Sequence, residues 1–283
     1  MSLTMTGMAE WTLERTHSFR GQAVRYAVLG EGPAVVLVHG TPFSSYVWHR
    51  IAPRLAERRQ VFVFDLLGYG QSEKRQGEDV SLGVQNELLT ELLARWGLAH
   101  PDVVAHDFGG TTALRCHLLN GCEFHRLVLI DPVVLAPWGI GFDRHVREHE
   151  AVFREMPADI HRAILSTYIR GALARPLPDD ELAPYLQPWL GIEGQAAFYR
   201  QIAQFDQRFT DEIEPRYRDV RCPTLILWGE EDEWLPIDHG RRLSTMIPSA
   251  RFQPVPGSGH LMQEDSPEAV IGAVDDFLEL RTS

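Results

Sequence analysis

Three features of the sequence predict an α/β fold, a mostly parallel central sheet flanked by helices. Strand-like runs alternate with helix-like ones. The strand-like runs are continuous in Val, Ile and Leu, the pattern of a sheet buried on both faces. A helical block then breaks the alternation between about residues 133 and 215, as an insertion over the sheet would. In chain order, the first thirty residues read as an antiparallel hairpin at the sheet edge. The clearest strands follow: "AVVLVHG" (34–40), "QVFVFDLLG" (60–68), "PDVVAHD" (101–107), "RLVLIDP" (126–132) and "PTLILWGEED" (223–232). Between them, residues 81–98 repeat their apolar positions at helical spacing, with Ser81 as N-cap. Residues 266–281 do the same, with Ser266 as cap, Pro267 in the first turn and Glu268 behind it.

The interrupting block holds four helical stretches, beginning at Asp143, Asp159, Pro178 and Gly194, with prolines at 157, 176, 178, 184 and 188. Placed between two strands of a parallel sheet, it reads as a lid over the carboxyl ends of the strands, where such sheets bind ligands. The expected division is a core of residues 1–132 and 216–283 and a lid of residues 133–215.

Apolar content of 44% and charged content of 23% are those of an ordinary soluble domain. A net charge of −12 argues against nucleic acid, whose phosphates demand Lys/Arg clusters. No apolar run is long enough to span a bilayer, and no basic-then-apolar leader suggests export, so a cytoplasmic location is expected. Cys116, Cys122 and Cys222 show neither disulfide nor zinc spacing. The expected partner is a small apolar molecule, with no nucleic acid or membrane, and neither a metal nor an organic cofactor is implied.

The strand ends carry the chemistry. The first offers His39-Gly40-Thr41-Pro42. The third ends in Asp107, set among Ala105, Gly109 and Gly110, small residues that permit a sharp strand-to-helix turn. The fourth ends in Asp131, and the fifth leads to Asp232 within "WGEEDEWLP". A glycine-rich loop before the last helix holds His260. A lone aspartate at a strand end is ordinarily a helix cap, and a lone loop histidine is ordinarily a surface group. Here the order carboxylate, acid, histidine along successive strand ends points to catalysis instead.

This set resembles the α/β-hydrolase superfamily from about Gly30 to the C-terminus, and "DLLGYGQS" (65–72) and "LIDP" (129–132) match it as well. The resemblance implies Asp107 as nucleophile where many members carry serine, His260 as base and Asp232 as its acid, with Asp131 as a rival. It also implies an oxyanion hole from the amides of Thr41 and Phe108.

An aspartate ionises near 3.9 in water, so a carboxylate attacks without first shedding a proton. Attack on an ester would give a mixed anhydride, an uphill product. Attack on a saturated carbon gives an alkyl ester, which water activated by His260 would then hydrolyse. Epoxide opening and halide displacement both fit, and both families resemble this sequence. "HGTP" fits the epoxide hydrolase HGxP motif, and "GIEGQAAFYRQ" (191–201) is similar to their lid segment, which carries over Tyr199 as ring-opening donor. Those enzymes usually have a second tyrosine near the start of the lid. None lies between residues 133 and 166, leaving Tyr168 and Tyr185 as alternatives.

"HGTPFSSYVW" and "GHLMQEDSPE" look like haloalkane dehalogenases, yet Phe108 stands where those usually have a halide-binding tryptophan and Thr41 where they often have asparagine. Trp138 or Trp189 would then supply the missing N–H. His39, Trp138, Tyr168 and Trp189 are the further residues expected at the substrate site. Epoxide hydrolysis is the leading expectation and dehalogenation the alternative. An esterase using Asp107 as general base and a non-catalytic ligand binder stand behind them.

Overall fold

The computed structural model describes residues 11–139 and 141–279. Its sheet has eight strands: β1 (Arg15–Phe19), β2 (Gln22–Leu29), β3 (Ala34–Val38), β4 (Gln60–Phe64), β5 (Asp102–His106), β6 (Arg126–Ile130), β7 (Thr224–Gly229) and β8 (Ala250–Val255). Their spatial order is β1-β2-β4-β3-β5-β6-β7-β8. β2 runs antiparallel to both β1 and β4, and every other pairing is parallel. The edge hairpin predicted for the N-terminal region is β1–β2; the part of that prediction on residues 1–10 lies outside the described residues. Central strands β5, β6 and β7 are buried at every position, as continuous apolar runs require.

The five central strands end one to four residues before the sequence runs that predicted them. The residues past those ends leave the sheet because turns begin there. Asp107 and Asp131 take φ of 52° and 40°, which side chains other than glycine rarely adopt. Strand β8 was not foreseen. It is an edge strand with alternating exposure and a proline at 254, so it has no apolar run to betray it.

The helix predicted over 81–98 is Leu82–Trp96, closed by Gly97 at φ 71°. Ser81 stands at its N-cap in extended backbone, but its hydroxyl caps nothing. The last helix is Pro267–Glu279; the predicted residues 280 and 281 lie outside the described residues.

Helices Gly141–Arg154, Ala158–Arg170, Asp179–Leu186 and Gly191–Ala203 lie between β6 and β7. Five contacts from this inserted block reach the sheet side of the molecule. Gln201 Oε1 accepts from the Thr41 hydroxyl at 2.5 Å and the Tyr69 hydroxyl at 3.0 Å. Arg200 pairs with Glu78 at 2.9 Å, both nearly buried. Trp189 Nε1 donates to the Pro42 carbonyl at 2.6 Å, and the Tyr185 hydroxyl donates to buried Glu264. Among the described residues no helix is long and apolar enough to cross a membrane.

Candidate active site

Asp107 occupies the turn between β5 and helix Phe108–Asn120, in a strained left-handed conformation (φ 52°, ψ −122°). It sits at the N-cap position, yet its side chain makes no capping bond, so the ordinary reading of a strand-end aspartate does not apply. Oδ1 instead accepts the Thr41 N–H at 2.6 Å, and Oδ2 lies 3.3 Å from His260 Nε2. Glycine is required beside it: a Cβ on Gly40 would stand 2.2 Å from Asp107 Oδ1, and one on Gly109 would stand 2.3 Å from the Val38 carbonyl oxygen.

His260 is fully buried, and its Nδ1 donates to Asp232 Oδ2 at 2.9 Å. Asp232 is held in turn: its Oδ1 accepts the Trp234 and Leu235 N–H groups at 2.8 and 2.9 Å. The Nε2 contact with Asp107 is close enough for an ion pair but is not aligned as a hydrogen bond. Burial disfavours a charged imidazole here, but Asp232 and Asp107 together outweigh it and raise the His260 pKa well above its usual value. The raised pKa favours the imidazolium, which lies between Asp107 and Asp232.

Asp131 reaches the same region from the adjacent strand but does not bond to the imidazole. Its Oδ1 accepts the Gly229 N–H at 2.8 Å and its Oδ2 has no partner. Burial, and then the charge of Asp232, push its pKa well up and favour the neutral acid. His106 donates through Nε2 to the His260 carbonyl at 3.0 Å, and burial keeps it neutral. The donor atoms of His106, Asp131 and His260 lie within 4.8 Å of one another, the group among the described residues best able to hold a metal ion. His106 Nε2 is bonded to a carbonyl, His260 Nδ1 to Asp232 and Asp131 Oδ1 to the Gly229 N–H, while His106 Nδ1, His260 Nε2 and Asp131 Oδ2 have no hydrogen-bond partner.

A small cavity of about 30 Å³ adjoins Asp107, and Thr41, Phe108, Trp138, Asp143, Tyr168 and Trp234 are among its walls. Of the residues expected at the substrate site, Trp138 and Tyr168 are therefore brought to it. The Trp138 N–H is already donated to the Thr210 hydroxyl at 3.0 Å, and the Phe108 ring packs edge-on against the Trp138 ring.

Three expected site residues are elsewhere, each with its polar atoms spent on packing. His39 accepts the Leu66 N–H on Nε2 and donates from Nδ1 to the Gly40 carbonyl, both at 2.9 Å, which holds the turn beside Asp107. Trp189 is bonded to Pro42, as above. Tyr199 is fully buried among the inserted helices, its hydroxyl donating to His161 Nδ1 at 3.0 Å while His161 Nε2 donates to the Trp189 carbonyl. Burial raises its pKa to about 12. The lid-like motif around Tyr199 thus corresponds to a fastening: Arg200 and Gln201 reach the sheet side while Tyr199 faces inward.

Asp143 and Trp234 are cavity residues that were not singled out from the sequence. Asp143 is a second buried carboxylate there, and its Oδ1 accepts the Tyr168 hydroxyl at 3.0 Å. Trp234, two residues past Asp232, lies with its ring centroid 4.9 Å from those of both His260 and Tyr168. A tryptophan that close in sequence to the acid was the available signal. Nothing in the sequence marked Asp143.

This arrangement on this sheet is that of a hydrolase, and the family agrees: residues 35–273 match the alpha/beta hydrolase family, to which the chain belongs. It is 51% identical to an alpha/beta hydrolase fold protein from Burkholderia ambifaria, with a TM-score of 0.91 over 93% of this chain and 97% of that one. A 2-hydroxy-6-oxo-2,4-heptadienoate hydrolase of Pseudomonas putida is 29% identical, covering 88% of this chain and 90% of its own. The epoxide hydrolase CorEH shares the fold, with a TM-score of 0.72 at 21% identity over 93% of this chain and 97% of that one.

Proposed function

We propose that the protein hydrolyses epoxides to diols through an ester on Asp107, beneath a helical cap formed by residues 133–215. Asp107 Oδ2 attacks a ring carbon, the C–O bond breaks, and the ring oxygen takes a proton from the Tyr168 hydroxyl. The His260 imidazolium makes good that proton. Once Asp107 is esterified its charge is gone, so one of the two groups that held the proton on His260 no longer does. Neutral His260, oriented by Asp232, then takes a proton from water as its oxygen attacks the ester carbonyl. The Thr41 amide already bonded to Oδ1 stabilises the oxyanion, with the Phe108 amide at the helix start as its partner. As the ester C–O bond breaks, the departing oxygen takes the second water proton from the new Asp107 carboxyl group, which leaves the diol, the Asp107 carboxylate and the imidazolium, so the resting ion pair stores the one proton the cycle needs.

The observation that carries this reading is the Tyr168–Asp143 pair over Asp107. A departing oxygen anion needs a proton, and Tyr168 has one to give. A departing halide needs N–H donors; the Phe108 side chain has none, that of Trp138 is bonded to Thr210, and the Trp234 Nε1 lies beside Gly171 in the neighbouring groove. Burial, and then Asp143, raise the Tyr168 pKa well above the usual phenol value. The proton therefore stays on the phenol until an alkoxide, a far stronger base, forms beside it.

Tyr168→Phe is expected to lower kcat for 1,2-epoxyhexane by roughly 10²–10⁴, the usual worth of a positioned acid. Tyr199→Phe should change it by less than about threefold. The reverse ranking would return the donor role to Tyr199. Chloride release from 1-chlorobutane without diol from any epoxide would make the enzyme a dehalogenase. Gly40→Ala should cost about 100-fold or more in kcat, because the new methyl displaces the attacking oxygen. Thermal unfolding measured alongside separates that displacement from general damage to the fold.

A further inference from the structure

The cavity beside Asp107 has room for roughly one or two water-sized groups. An epoxide ring fills it, and a substituent on that ring has to extend elsewhere. Two cavity walls, Tyr168 and Trp234, also wall a groove of about 600 Å³, which Phe142, Ala163, Ile164 and Gly171 continue. The two rings stand 4.9 Å apart, tilted by 41°, as a partition between the spaces. The groove is apolar. Its threonine, Thr167, turns its hydroxyl back to the Ala163 carbonyl at 3.0 Å, and the Tyr168 hydroxyl is engaged by Asp143. Gly171 leaves the Trp234 edge uncovered, since a Cβ there would stand 3.3 Å from Nε1. The partition is also joined to the reacting groups through the chain: the Trp234 backbone N–H bonds Asp232, which orients His260.

We infer that this groove receives the alkyl tail of a terminal epoxide, the chain leaving the small cavity along the Tyr168 and Trp234 rings that the two spaces share. The small cavity has room for the ring and little more, which selects monosubstituted epoxides. The inference rests on the epoxide reading for the identity of the reacting group and on the groove alone for the tail.

The test compares kcat/KM along a series from 1,2-epoxypropane to 1,2-epoxydecane and, separately, calorimetric binding of 1-propanol and 1-decanol, which carry no electrophile. In the wild type kcat/KM should rise about three- to fourfold per added methylene, the worth of burying one such group. Decanol should bind at least about 100-fold more tightly than propanol. Ala163→Trp and Thr167→Trp fill the groove from an exposed helix face and should flatten both trends. Ile192→Trp, at a side chain 92% exposed and outside both spaces, should keep them. A flat series in the wild type, or slopes that survive both groove substitutions, would overturn the inference. Decanol binding as expected with no epoxide turned over would uphold the groove as an alkyl site and refute the reaction assigned to Asp107.

Discussion

His260→Gln is expected to stop the reaction halfway, with a hydroxyalkyl ester accumulating on Asp107. Attack on carbon needs only the carboxylate and a proton for the ring oxygen, whereas hydrolysis of the ester needs a base beside it. Glutamine can still donate an N–H to Asp232, which avoids leaving that buried carboxylate unpaired. It cannot take a proton from water. Steady-state diol formation should fall by roughly 10²–10⁴, and intact-mass spectrometry should find the protein heavier by one epoxide. Peptide mapping should place the added mass on Asp107. A companion measurement uses the wild type in ¹⁸O-water under single turnover. Because water attacks the ester carbonyl, the label should enter the Asp107 carboxylate and not the diol. Label in the diol alone, with no adduct in the variant, would falsify covalent catalysis and favour Asp107 as a general base.

Asp232→Asn should cost about 10⁴ in kcat, close to the loss typical when a triad acid becomes an amide. The amide oxygen can keep the bonds from Trp234 and Leu235, which turns the NH₂ toward His260 Nδ1. That forces the imidazole proton onto Nε2, the nitrogen that has to accept from water. Asp131→Asn should leave kcat within about threefold, because a neutral acid is replaced by a neutral amide of the same shape.

Its effect on stability has a definite sign. The folded-state pKa of Asp131 is raised, so the folded chain keeps a proton that the unfolded chain gives up above about 3.9. The wild type therefore loses stability from this group as pH rises from about 4 toward the folded value. The asparagine variant lacks that loss and should melt higher than the wild type at about pH 7, with the difference vanishing near pH 4. Should Asp131→Asn abolish turnover while Asp232→Asn spares it, the two acids have exchanged roles.

Much of the site was legible because it sits where strands end. Continuous apolar runs set the strands, and small residues around 107 mark a turn too tight for bulk on both sides. The order of Asp107, Asp232 and His260 along the chain follows from the order of the strands. The cavity walls were not legible in the same way. Tyr168 and Tyr199 both lie in amphipathic helices, and both read as buried aromatics. One lines the cavity with its hydroxyl on Asp143; the other faces a histidine in a neighbouring helix. Helical periodicity tells that a face is covered but not what covers it. For that reason a motif match around residue 199 pointed to the wrong tyrosine for the cavity. Strand β8 escaped for a related reason, since an edge strand need not be apolar on both faces.

By itself, then, the sequence determined the α/β-hydrolase sheet, the sharp turn that bears Asp107, and the glycines that let backbone approach it. The strands and the turn depend on residues near one another in the chain, whose backbone preferences and hydrophobic pattern act locally. Only the tertiary structure decided that Asp232 rather than Asp131 bonds to His260, that Asp143 and Tyr168 meet over the cavity, and that Trp234 divides it from the groove. Those relations join residues tens to more than a hundred positions apart. They are decided by which helix faces pack together, a competition among many contacts of similar energy.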